Sequence, residues 1–238
     1  MPRSSKSPDP IPAGDIKAVA GGALRFSAIL LLSAAVGCLI LQQAVYGGDP
    51  SEAAVENSLI ELLQLAFLAI SMALLSVVAA RRREWRPGIV LVCAFFMCMA
   101  IRECDSSFDK AFYHGAWLPF ALAVAAAGVI QALARRRSTF AGLAAIVRDK
   151  SFGVLCSGLS AIFVFSRILG YKRIWLTIYR DICGEKYAIE LCRAMKNFAE
   201  EGTELFGYAL VFLWAASFAV ASLRPPRETD GKTACGQY

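Results

Sequence analysis

Histidine is almost missing from this chain: there is one, His114, in 238 residues. A centre built on several imidazoles is therefore excluded. The eight cysteines contain no C-x-x-C pair, and Cys93 and Cys98 stand five apart, so no zinc-ribbon or dithiol redox spacing is present. Charge is scarce as well. Asp, Glu, Lys and Arg make up 18% of the residues, against roughly 25% in a soluble domain. They are nearly absent from several runs of about twenty residues, long enough to cross a bilayer as helix. No internal repeat of the inverted-transporter kind is visible. No cleavable signal peptide is evident either, because the apolar run after Arg25 is too long for a signal core and is expected to be a retained first span.

What the chain has in excess is apolar surface, 57% of its residues. The fold class expected is all-α, a polytopic membrane protein with six transmembrane helices in one bundle. The spans fall at about 24–46, 57–80, 88–102, 112–134, 152–169 and 203–223. Residues 1–22 and 224–238 are polar and Pro/Ser- or Lys/Arg-containing, and are expected to be a disordered N-terminal segment and a flexible tail. Asp49-Pro50 with Glu52 has the form of a helix start. Arg81–Arg83 with Pro87 closes span two, and Arg135–Arg137 anchors span four. Residues 138–150 read as a basic linker that forms a surface helix. Leu191, Met195 and Phe198 repeat with helical spacing, so about 185–199 reads as an amphipathic segment lying over the membrane or the bundle.

The net charge of +6 does not indicate nucleic acid. Its Lys and Arg residues lie between the apolar runs, where the positive-inside rule accounts for them. Arg3, Lys6, Lys17 and Arg25, the 81–86 cluster, the 135–150 linker and Arg224/Arg227 would share one side, which is expected to be cytoplasmic together with both termini. The expected location is the inner (plasma) membrane, multi-pass, with the lipid bilayer as partner and no nucleic acid.

This topology sends the ionisable residues of the spans toward the opposite side. Glu61 and Gln64 lie one to two turns inside an apolar run, and Asn57, Glu61 and Gln64 share a helical face. A carboxylate facing lipid costs on the order of 3 kcal/mol at mid-membrane, so Glu61 is expected to face the bundle, with Arg102 and Arg167 as bidentate partners. If helix persists past span three, Arg102, Asp105 and Asp109 share a face. Span four enters at His114, and span six enters through Glu200, Glu201 and Glu204. The binding residues expected are Glu61, Gln64, Arg102, Asp105, Asp109, His114, Arg167, Glu201 and Glu204. Bland roles stand beside this one: a buried ion-pair network that fixes helix register, carboxylates favouring a helix dipole, and a headgroup histidine. A divalent metal would draw on Glu61, Asp105, Asp109, His114 and Glu204, although the spacing is diagnostic for none. Cys183 and Cys192 are a disulfide candidate if the compartment is oxidising, with Cys104 as another partner.

Three families of intramembrane enzymes share fragments with the chain. Gly158–Ala161, GLSA, resembles a rhomboid serine-protease motif, but that family needs a later histidine and none follows Ser160. Glu200-Glu201 resembles the start of the glutamate-type intramembrane protease motif, yet Leu205 stands where that family has arginine. The alkaline-ceramidase-like hydrolases need several zinc-binding histidines. None of the three fits.

The functional expectation is an outward-facing acidic site that binds a cation, a lipid headgroup or a small polar ligand. As an enzyme it would be a metal-assisted hydrolase acting on a lipid. The alternatives are a proton- or cation-coupled transporter and a non-catalytic assembly protein whose buried charges set helix register.

Overall fold

The computed structural model describes residues 13–46, 59–183 and 185–224, and every regular element among them is helical. In chain order these are α1 (Ala13–Tyr46), α2 (Leu59–Arg81), α3 (Arg86–Glu103), α4 (Asp105–Ala111), α5 (Trp117–Ala134), α6 (Arg136–Val147), α7 (Phe152–Ser160), α8 (Ser166–Leu169), α9 (Lys172–Cys183) and α10 (Glu185–Leu223). A π-helical stretch, Ala161–Phe165, joins α7 to α8. Five stretches are long and apolar enough to cross a membrane: Ala20–Ile40, Leu59–Arg81, Trp117–Ala134, Phe152–Leu169 and Cys192–Leu223. A sixth is obtained if α3 and α4, bent by 61°, are taken as one.

The helix ends follow from local chemistry. Glu61 in the first turn of α2 and Arg81 in its last both oppose the helix dipole favourably. Pro87 sits in the first turn of α3, where its missing N–H leaves nothing unsatisfied. At the other end of α3 the Cys104 N–H closes back on the Ala100 and Ile101 carbonyls, and the chain turns before α4.

The core gathers on α10. This helix packs against α1, α2, α7, α8 and α9 and buries Leu205, Tyr208, Val211, Trp214 and Ala215. Trp214 meets Phe96 of α3 edge-on and stacks with Phe218. In lipid, helix association draws on close packing rather than on water exclusion, and small residues permit it. A Cβ added to Gly158 of α7 would stand 2.8 Å from the Gly207 carbonyl of α10, and one on Gly207 would stand 2.5 Å from Ile162. The same device joins α3 to α6, where a Cβ on Gly142 would lie 2.5 Å from the Trp85 carbonyl. α1 is held more lightly. Only 6% of its apolar window is buried, and its anchor is Val36, which packs with Ile60, Leu205 and Ala209.

Four expectations from the sequence change here. Helix begins at Ala13, inside the segment read as disordered, because the alanine-rich stretch before Arg25 carries the first helix outward. Residues 138–150 do not lie apart as a surface linker, since α6 packs on α3 and buries Thr139, Gly142 and Ile146. Residues 185–199 are the leading part of α10 itself, and the strongly amphipathic piece is α9, which packs alongside it. The face shared by Arg102, Asp105 and Asp109 does not exist, because the 61° bend at Cys104 separates them. The Asp49–Glu52 helix start, Asn57 and the 225–238 tail lie outside the described residues.

Candidate functional site

α2 and the membrane-length part of α10 run parallel. Gln64 Nε2 donates to the Glu201 carbonyl at 3.3 Å near one end, and Arg82 donates to the Ser222 carbonyl through Nε at 3.0 Å and a terminal nitrogen at 2.8 Å near the other. The acidic residues of span six therefore stand beside the start of span two, and the arginine cluster after span two stands at the opposite end.

Around the first end the polar side chains form a cross-braced cluster. Glu204 is its hub, with 4% of its surface exposed. Its Oε1 is in close contact with an Arg167 terminal nitrogen, lies 3.6 Å from Arg102 and 3.2 Å from Ser166 Oγ. Each arginine holds a second carboxylate: Arg102 pairs with Glu103 at 3.1 Å, and Arg167 pairs with Glu200 at 2.9 Å. Tyr208 donates to the same Glu103 oxygen at 2.7 Å, and Lys196 reaches Glu200 at 3.0 Å. Three spans thus contribute: α3 through Arg102 and Glu103, α8 through Ser166 and Arg167, and α10 through Lys196, Glu200, Glu204 and Tyr208.

Local backbone geometry makes this convergence work. The π stretch widens the helix by one residue per turn just before Ser166, which turns the fully buried Ser166 hydroxyl and the Arg167 stem toward α10. Gly170 has no side chain to obstruct Glu200, whose carboxyl would lie 2.6 Å from a Cβ placed there. Glu204 and Tyr208 sit one turn apart and so share a face.

Of the residues expected from sequence, Gln64, Arg102, Arg167, Glu201 and Glu204 meet here. Gln64 is buried, and Glu201 is half-buried. Glu61 lies within charge-interaction range of Glu201 and Cys104. The ion pairs of Arg102 and Arg167, expected on Glu61, fall on Glu103, Glu200 and Glu204. Glu103, Ser166, Lys196, Glu200 and Tyr208 complete the cluster. Tyr208 was open to detection through its four-residue spacing from Glu204. Glu103 was not, since only the chain bend decides which way it points.

Asp105, Asp109 and His114 form no bonds to this cluster among those described, although Asp105 lies within charge-interaction range of Glu103. Asp105 is exposed on the first turn of α4. The His114 side chain is 99% exposed, and its Nδ1 lies 2.6 Å from Asp109 Oδ2. Asp109 also accepts the Gly115 N–H at 2.8 Å, at the glycine whose φ of +82° makes the turn into α5. That backbone hydrogen bond, with His114 adding to it, holds the Asp109 carboxyl below its ordinary range. The pair is a clasp on a turn.

The described residues do not fit a metal centre. Among the described residues no three His, Cys, Asp or Glu side chains gather as ligands. Glu204 is occupied by two guanidinium groups, and His114 by Asp109. The Cys192 thiol is buried and free, and donates to the Lys172 carbonyl at 3.6 Å. The Cys183 side chain lies outside the described residues. Close to the cluster, Lys172, Ile189, Arg193, Lys196 and Asn197 line a cavity of about 250 Å³. Comparison with protein-family models, curated proteins and solved structures finds no match for this chain.

Proposed function

We propose that the chain is a six-span protein of the inner (plasma) membrane with both termini in the cytoplasm, and that its acidic cluster faces the other side and binds a cation or the cationic group of a small polar ligand or lipid headgroup. The side assignment rests on the arginine-rich end, where Arg82, Arg86, Arg135–Arg137, Lys150 and Arg224 collect.

One observation carries the ligand class. Glu201 is crowded by the charges of Glu61, Glu200 and Glu103, with Lys196 as the opposing cation. Glu103 and Glu200 are each paired with an arginine, and Glu200 with Lys196 as well. Glu201 has no ion pair among the described residues, and a half-buried carboxylate beside other acids is relieved by a bound positive group. Gln64 fixes the backbone beside Glu201 and adds a polar contact at the same depth. Arg102 and Arg167, already spent on Glu204, Glu103 and Glu200, hold the walls. No step through a metal is derived, because the ligand set does not fit one. The transporter reading has less support, since the core beyond the cluster along α10 is Leu205, Ala209, Val211, Ala215, Phe218 and Ala219 with their aromatic neighbours, which is not a relay.

The mutual pairing of Arg102, Arg167 and Glu204 favours one second reading, an assembly protein in which the charges fix register. Purified protein in detergent separates the two. Choline chloride and ethanolamine hydrochloride are titrated while the unfolding temperature is followed. The binding reading expects at least one of them to stabilise the wild type and Glu201→Gln to abolish the shift. If neither probe shifts the wild type, and Glu61→Gln and His114→Ala alter stability alone, the assembly reading replaces it.

A further inference from the structure

A second polar cavity lies at the opposite end of the bundle, outside the acidic cluster. It has a volume of about 290 Å³ and is bounded by α1, the turn between α6 and α7, and the last two turns of α10. Its rim carries three bases from three elements: Arg25, Lys150 and Arg224. The one acid in its lining, Asp149, is already engaged by the Ser151 hydroxyl and by the Ser151 N–H at 2.8 Å. The wall on α10 is built of small and apolar residues, among them Ala216, Ser217 and Val220.

The cavity exists because of how α1 is held. That helix packs on α10 through Val36 and Ile40, against Leu205, Ala209 and Gly202. Its earlier half carries Leu24 and Phe26, which are 73% and 63% exposed, so the gap beside Arg25 is continuous with the bilayer-facing surface. A crevice with apolar walls open to lipid, and three cations against one carboxylate in its lining, is complementary to one kind of molecule: an amphiphile with an anionic phosphodiester.

We infer that this crevice is a binding site for an anionic phospholipid, with Arg25, Lys150 and Arg224 around the headgroup phosphate and the acyl chains lying along α1 and α10. The site is independent of the acidic cluster. Ser217 is 13 residues beyond Glu204 on α10, about 20 Å along the axis at 1.5 Å per residue.

The test uses the full chain in nanodiscs of mixed phosphatidylglycerol and phosphatidylcholine, extracted into detergent and analysed by native mass spectrometry for retained lipid. The wild type is expected to retain phosphatidylglycerol in preference to phosphatidylcholine. Arg25→Gln and Arg224→Gln are each expected to lower that preference about fivefold, the value of one basic residue near an anionic headgroup. Lys172→Gln with Arg193→Gln, in the basic cavity at the other end, is expected to leave it unchanged. Equal retention by the Arg25→Gln/Arg224→Gln double variant and the wild type overturns the site. An equal loss in the Lys172→Gln/Arg193→Gln control overturns it too, since net charge would then explain the preference. Displacement of the lipid by excess inorganic phosphate overturns it in favour of a soluble anion.

Discussion

Removing the Glu204 carboxylate is the sharpest perturbation the structure offers. In Glu204→Ala, Arg102, Arg167 and Ser166 lose the group on which all three converge. Stranding a fully buried charge costs about 3–5 kcal/mol. Two features lower that figure here. The arginine side chains are 35% and 44% exposed, so water screens part of the loss. Each also keeps a second carboxylate, Glu103 or Glu200. An expected destabilisation of about 1–3 kcal/mol follows. Equilibrium unfolding in mixed micelles, titrated with SDS, measures it. Glu204→Gln keeps the shape and a hydrogen-bond acceptor and should cost less than Glu204→Ala. Replacing Glu204 and Arg167 together by leucine should recover part of the loss, because a jointly removed pair leaves no orphaned charge. A change in Glu204→Ala of under about 0.5 kcal/mol, the range of ordinary surface substitutions, would refute the argument that this carboxylate ties three spans together.

Other expectations are as direct. Gly207→Ala places a Cβ 2.5 Å from Ile162 and 2.8 Å from the Gly158 carbonyl; overpacking of this kind costs about 1–3 kcal/mol, measurable in the same unfolding assay, whereas Gly153→Ala, whose Cβ meets nothing within 4 Å, should be close to neutral. The Asp109 clasp should weaken in acid. Its carboxyl titrates below the ordinary 3.8, so its contribution is fully present above that value and is lost as the pH falls through the lower folded-state value. Amide exchange at Gly115, followed against pH, should show this loss, and Asp109→Asn should flatten the profile. The proposed sidedness predicts that a cysteine placed at Lys110 reacts with an impermeant maleimide in intact cells, while one at Lys150 reacts only after lysis.

The apolar runs announced the spans, because twenty residues without charge have few soluble alternatives. Glu61, Gln64, Arg102, Arg167, Glu201 and Glu204 could be picked out for the same reason: each is costly where it stands. Their pairing could not be read. Which carboxylate receives Arg167 depends on the π-helical widening before Ser166, a one-residue change of register that leaves no periodic trace in AIFVF. Asp105 and Asp109 were placed on one face with Arg102 on the assumption of a continuous helix, and the bend at Cys104 breaks that face; His114, placed by the entry of span four, stands exposed on the turn before α5. The amphipathic pattern of 185–199 was visible, but its direct continuation into the last span was not, because the charged Glu200 and Glu201 resemble an interface and leave no hint that helix runs through them.

The 39 residues of α10 make a rod of roughly 58 Å at 1.5 Å per residue, nearly twice the thickness of a hydrocarbon core of about 30 Å. Standing upright, it must project well past one membrane surface, braced at its base by α9 through the Cys192–Lys172 bond, while Trp175 of α9 donates to the Leu169 carbonyl of α8. A molecule approaching from that side meets this post before it reaches the lipid, so any tether, crosslinker or antibody raised against the intact protein would find its first purchase there.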